Sequence, residues 1–159
     1  MIEWVHLLRW LHVIGATVLL GTGAGIAFFM VMAHRTGDAK LIAHTAASVV
    51  VADFVFTTTA VILQPITGLL LALATGWDLR EGWLLASLAL YVLTGAFWVP
   101  VVFIQMRLRD LAREADRIGE NLPTRYHQLF RLWFAFGFPA FFAVLAIFWL
   151  MIARPDISF

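Results

Sequence analysis

Four long stretches of this sequence carry almost no charge, and they constrain the fold more than any other feature. They cover residues 10–33, 41–77, 82–106 and 132–153, and among aspartate, glutamate, lysine and arginine only Asp53 occurs inside them. A helix needs about 20 apolar residues to cross a bilayer core of about 30 Å, so each stretch can span a membrane. We therefore predict an all-α integral membrane protein, a four-helix bundle in a single domain over residues 1–159. The predicted spans cover about residues 5–33, 41–66, 82–108 and 127–153.

Composition supports this class and excludes others. Apolar residues make up 62% of the chain and charged residues 13%, whereas a soluble domain has about 45–50% and about 25%. The net charge of +1 provides no broad basic field, so we expect no nucleic-acid partner. Cysteine is absent, which excludes disulfides, thiolate metal sites and iron–sulfur clusters.

Prolines and small residues inside the stretches bear on helix shape. Proline removes a backbone donor and loosens the turn before it, so we expect kinks at Pro65, Pro100 and Pro139. The second stretch is too long for one straight span, and its helix is expected to kink or end near Pro65, followed by a short interfacial turn. Gly21 and Gly25 form a small-xxx-small pattern, which predicts close helix packing.

The distribution of basic residues predicts the orientation. The loops after spans one and three contain Arg35, Lys40, Arg107, Arg109, Arg113, Arg117 and Arg125, and the other face has Arg9, Arg80 and Arg154. By the positive-inside rule both termini face outward (N-out/C-out) in a bacterial inner membrane. The outer interface then carries Trp4, Trp10, Trp77, Trp83 and Trp149, as an aromatic belt would. The charged segment 107–125 is predicted to extend the third helix into the cytoplasm.

His12, just inside the outer end of span one, is a candidate haem ligand. Arg9 and Gly15 are each three residues away and share its helical face. The histidine could ligate iron, the arginine could pair a propionate, and the glycine could let a porphyrin approach the backbone. Antiparallel packing brings Gln64 and Ser87 to the same level, and Gln64, water or another chain could supply the sixth ligand. The alternative is a histidine that bonds a neighbouring helix, with Arg9 at the interface.

Two other places carry polar chemistry. His44 and His127 lie at matching depths near the starts of spans two and four and form a rival bis-histidine haem site, while His34 is assigned to a loop. Asp53 lies near mid-membrane, with Arg131 as its nearest counter-charge. An intramembrane carboxylate is a candidate proton or ion handle, or else a group that locks helix packing.

Several segments resemble known families. Residues 10–15, 64–68 and 137–155 resemble a family of small bacterial predicted integral membrane proteins that carry a domain of unknown function. More distantly, Leu11–His12, the stretch 82–88 and the last helix resemble the HemJ-type protoporphyrinogen oxidases, which bind haem b. Ser87 stands where that family has lysine, so the resemblance implies haem binding at His12 rather than porphyrinogen oxidation.

These observations predict a cytochrome b-like membrane protein that binds haem b and transfers electrons. Candidate partners are the lipid bilayer, quinone, a redox partner protein and a second copy of the chain. One alternative is a cofactor-free membrane subunit or scaffold whose basic segment docks a partner. Another is a small transporter that works around Asp53.

Overall fold

The computed structural model describes residues 2–157, and this part of the chain forms four long helices without a strand. The helices are α1 (Ile2–Thr36), α2 (Ala39–Thr75), α3 (Gly82–Ile118) and α4 (Thr124–Ala153). Each is long and apolar enough to cross a membrane. The predicted all-α membrane fold with four spanning helices is therefore confirmed, and α3 extends through most of the charged segment, as predicted.

The helices run antiparallel and pack mainly in sequence order. α1 packs along the whole of α2, the first half of α2 packs on α3, and α3 packs along α4. One end of the bundle, here named the basic end, holds the α1–α2 and α3–α4 connections. The opposite end, the tryptophan end, holds the α2–α3 connection, where the rings of Trp77 and Trp83 meet edge to face at 5.5 Å. The Arg154 guanidinium lies 4.9 Å from the centre of the Trp77 ring, a cation–π contact.

The tightest core lies in the half of the bundle near the basic end. Its buried members are Ile26, Met30, Ala33, Ile42, Ala43, Ala46, Val49, Leu108, Ala112, Tyr126, Phe130 and Trp133. The alanines let helix backbones approach closely, which is how membrane helices gain packing energy. The expected close packing at Gly21 and Gly25 is wrong within this chain, because a Cβ at either position would meet no atom within 4 Å.

α2 continues as a helix through Pro65 to Thr75, so the expected interfacial turn after Pro65 is wrong. Pro65 has no N–H to donate to the carbonyl of Val61, four residues earlier. The Tyr91 hydroxyl of α3 donates to that carbonyl instead. Inside a bilayer such replacement partners make proline tolerable. α3 and α4 likewise continue through their prolines, and the kinks remain predictions.

We expect Tyr91→Phe to destabilise the protein by about 1–3 kcal/mol, because it leaves the Val61 carbonyl without a donor in the membrane interior. In a Pro65→Ala background the new backbone N–H can reach Val61, so the same change should cost much less. The melting temperatures of the four proteins in mild detergent measure this coupling. An equal cost in both backgrounds would show that the tyrosine does not compensate for the proline.

Candidate functional site

His12 lies between α1 and the second half of α2, near the tryptophan end. Its Nδ1 is 2.9 Å from the Thr67 hydroxyl oxygen. That hydroxyl donates its own proton to the Leu63 carbonyl, at 2.8 Å, so it accepts from His12. This hydrogen-bond pattern assigns the imidazole proton to Nδ1, and in that tautomer Nε2 keeps the lone pair that can accept a proton or ligate a metal.

Close helix contact surrounds this histidine. A Cβ at Gly68 would lie 3.0 Å from His12 Cε1. The absence of a side chain at Gly68 therefore lets the His12 ring pack against α2. The Gln64 amide nitrogen donates to the His12 backbone carbonyl at 3.0 Å, and a Cβ at Gly15 would lie 3.1 Å from that nitrogen. The Gln64 side chain thus lies against Gly15, and the role of Gly15 as a porphyrin contact stays a prediction.

The structure brings only part of the predicted haem site together. His12, Gly15 and Gln64 are in contact, which agrees with the level assigned to them from helix depth. Arg9 is exposed, and its side chain forms no ion pair with a described carboxylate. Ser87 is buried on α3, and its hydroxyl donates to the Trp83 carbonyl of its own helix at 2.7 Å rather than to His12.

The rival histidines do not face each other. His44 is exposed in a shallow groove formed by residues of α2, whereas the His127 ring lies 5.8 Å from the ring of His34. The assignment of His34 to a loop is wrong. It belongs to the last turn of α1, stacks on Phe130 with ring centres 3.6 Å apart, and approaches the Tyr126 hydroxyl at 3.3 Å.

Asp53 lies inside the bundle and is only 4% exposed. The Trp98 indole N–H donates to its Oδ1 and the Gln105 amide N–H to its Oδ2, both at 3.3 Å. Gln105 in turn accepts from the Trp133 indole at 3.0 Å. This polar network joins α2, α3 and α4 through side chains that carry no formal charge apart from the carboxyl group.

The predicted counter-charge is wrong, since Arg131 is exposed rather than paired with Asp53. Among the residues that the structure describes, the two ion pairs are Arg109–Asp110 and Arg117–Glu114, both in the extension of α3. Within residues 2–157, no arginine or lysine therefore forms an ion pair with Asp53.

A π-helical segment, Asp53–Thr57, begins at the aspartate and interrupts the α-helical geometry of α2. Such segments often occur at functional sites. Thr57, at its other end, is 5% exposed, and its hydroxyl is buried. It lies beside the Asp53 carboxyl but forms no hydrogen bond with acceptable geometry. The site thus contains a buried hydroxyl with unused bonding capacity.

Sequence reasoning did not identify Trp98, Gln105 and Trp133 as partners of Asp53. A usable signal existed, because Trp98 and Gln105 are seven residues apart and so share one face of a helix. An amide inside a charge-free span is itself costly to bury without a partner. Gln105 could therefore have been matched with Asp53 as the two buried polar groups that need each other.

We expect Gly68→Ala to displace the His12 ring and destabilise the protein by about 1–3 kcal/mol, as overpacking does. Gly21→Ala is the matched control, because a Cβ there meets nothing within 4 Å and should not lower stability. Melting temperatures in detergent measure both. If Gly68→Ala costs no more than Gly21→Ala, the ring does not depend on that contact.

Comparison with known proteins supports the membrane assignment. No curated protein and no solved structure matches the chain, and none of the comparisons relates it to the HemJ-type oxidases. A family model described as a predicted integral membrane protein (DUF2269) matches residues 6–155. This match covers nearly the whole chain, including most of every helix. The protein is a multi-pass integral membrane protein that belongs to the DUF2269 family.

Proposed function

We propose that this protein binds haem b through His12 and transfers electrons in a bacterial inner membrane, with both termini outward. The hydrogen bond from His12 Nδ1 to Thr67 is the observation that carries the proposal. Iron-ligating histidines typically donate their second ring N–H to an oxygen acceptor, which fixes the ring and makes the other nitrogen a better ligand. With the ring proton assigned to Nδ1, Nε2 is the nitrogen that would ligate the iron.

The residues around His12 would supply one axial ligand per chain. Arg9, one helical turn toward the membrane surface, would pair a haem propionate. Gln64 uses its amide nitrogen on the His12 backbone, so its oxygen is the part left for a ligand. When bound, haem would supply one-electron exchange with a carrier such as quinone or a redox partner protein. A second copy of the chain could provide another His12.

The first experiment is an absorption spectrum of the protein purified in mild detergent, oxidised and then reduced. The wild type should show a haem Soret band, and His12→Ala should lose it. His6→Ala is the matched control, because His6 is exposed on the same helix near the same end and should retain the band. Added imidazole should restore part of the spectrum to His12→Ala.

Two results would contradict haem binding at His12. A colourless wild type that stays colourless after haem is supplied would overturn the proposal and leave the cofactor-free membrane subunit as the better account. Retention of the full spectrum by His12→Ala would show that haem binds elsewhere. His44 and His127 would then be the next residues to test.

Thr67→Val tests the positioning role of the hydroxyl. The valine is nearly isosteric but cannot accept from Nδ1–H, so we expect haem affinity to fall by about 10-fold or more, as for other partners of metal ligands. The midpoint potential should rise, because a less basic imidazole stabilises ferric iron less. Haem titration and redox titration measure the two effects. Unchanged values would confine Thr67 to helix packing.

A second candidate function, reversible proton binding at Asp53, is favoured by the Thr57 hydroxyl. That hydroxyl could accept a hydrogen bond from a protonated carboxyl group or donate one to a carboxylate. Trp98 and Gln105 can donate in either case. With no basic side chain among the described residues as its partner, an ionised Asp53 would be costly in the bilayer, so any change of charge there would accompany the gain or loss of a proton.

Infrared difference spectra across a pH series test this function. We expect a C=O band of a protonated carboxyl that changes with pH and is lost in Asp53→Asn. It should persist in Asp110→Asn, which alters an exposed, ion-paired carboxylate. An Asp53 band that stays constant at every pH would assign the residue to helix packing. Proton flux into liposomes that disappears in Asp53→Asn would favour the transporter alternative.

A further inference from the structure

A groove lies between α3 and α4 near the basic end and has a volume of about 420 Å³. Its wall is apolar where it faces the membrane interior, with Phe103, Ile104 and Leu129 among the lining residues. Two arginines, Arg107 and Arg125, also line it. The groove therefore combines an apolar surface with two guanidinium groups from different helices.

The arginines of this groove are available to an external anion. Both are exposed, and neither forms an ion pair with a described carboxylate. Asp110, the acidic residue that also lines the groove, is bound by Arg109, whose Nη2 lies 2.8 Å from Oδ1. The carboxylate in the groove lining thus already has a partner, and Arg107 and Arg125 leave the groove with an excess of positive charge.

The position of the groove along α3 places it at a membrane surface. Residues 82–106 contain no charged side chain, and Arg107 is the first charged residue after them. Lipid headgroups lie at this transition from apolar to charged sequence. The apolar lining at residues 103 and 104 then faces the acyl region, and the arginines lie at the depth of the lipid phosphates.

We propose that this groove binds one anionic phospholipid, with its phosphate between Arg107 and Arg125 and an acyl chain along Phe103, Ile104 and Leu129. Charge complementarity selects the headgroup, because guanidinium groups bind phosphate through paired N–H donors. The apolar wall selects a lipid over free phosphate, which has nothing to bury there. This site is independent of haem binding at His12.

The test compares lipid binding by the detergent-purified full chain and by an Arg107→Gln/Arg125→Gln variant. Titration with phosphatidylglycerol, followed by native mass spectrometry, gives the affinity for the first bound lipid. We expect about fivefold weaker binding for each arginine removed, the effect of one basic residue near an anionic lipid surface. The matched control is Arg35→Gln/Arg113→Gln, which removes two exposed charges near the same end but outside the groove.

Three outcomes would overturn the proposal. An equal loss in the control variant would show general attraction to the basic end. Equal affinity for phosphatidylcholine would show that the lipid's net negative charge has no role. Inorganic phosphate that displaces the lipid at similar concentration would identify a simple anion site. Selective loss in the groove variant, with phosphatidylglycerol preferred and phosphate ineffective, supports the proposed lipid site.

Discussion

The bilayer core offers no hydrogen-bond partners, and the rest of this structure depends on that constraint. Every backbone N–H and carbonyl group inside a span must find its partner within the protein, and polar side chains there gain by doing the same. The carbonyl of Val61, freed by Pro65, receives the Tyr91 hydroxyl, and the ring N–H of His12 finds Thr67. These bonds join different helices. The hydrogen bonds that buried backbone and side-chain groups need therefore also determine how the helices pack. In this protein the hydrogen bonds that satisfy buried polar groups are also contacts that hold the helices together.

α2 connects the two candidate sites. Its first half contributes Asp53 to the network with Trp98 and Gln105, and its second half contributes Thr67 to the His12 site. The two positions are 14 residues apart, which corresponds to about 20 Å along a helix. The proposed haem site would thus lie toward one membrane surface, and the proposed proton site near the middle. Because α2 contributes to both sites, a change at either one would act on the same helix.

Depth in the membrane was predictable from the sequence, but rotation about each helix axis was not. Charge-free stretches and antiparallel packing correctly put Gln64 at the level of His12. They could not show that Arg131 points away from Asp53 or that His34 stacks on Phe130. The reason is that lipid tails are as apolar as a protein core, so apolar periodicity does not distinguish the buried face from the lipid face. The lateral contacts depend on packing between helices.

The π-helical segment Asp53–Thr57 has a consequence for how α2 can vary. A π turn holds one residue more than an α turn, and one residue corresponds to about 100° of rotation. Before the segment α2 presents one face to α3, and after it α2 presents another face to α1. The segment therefore rotates these two faces relative to each other, compared with an unbroken α-helix. Losing one residue within the segment could return it to ordinary α-helix and keep both faces aligned. Losing one residue elsewhere would turn one face away from its partner. Inside α2, the segment is therefore a place where one residue can be lost without rotating the two halves of the helix relative to each other.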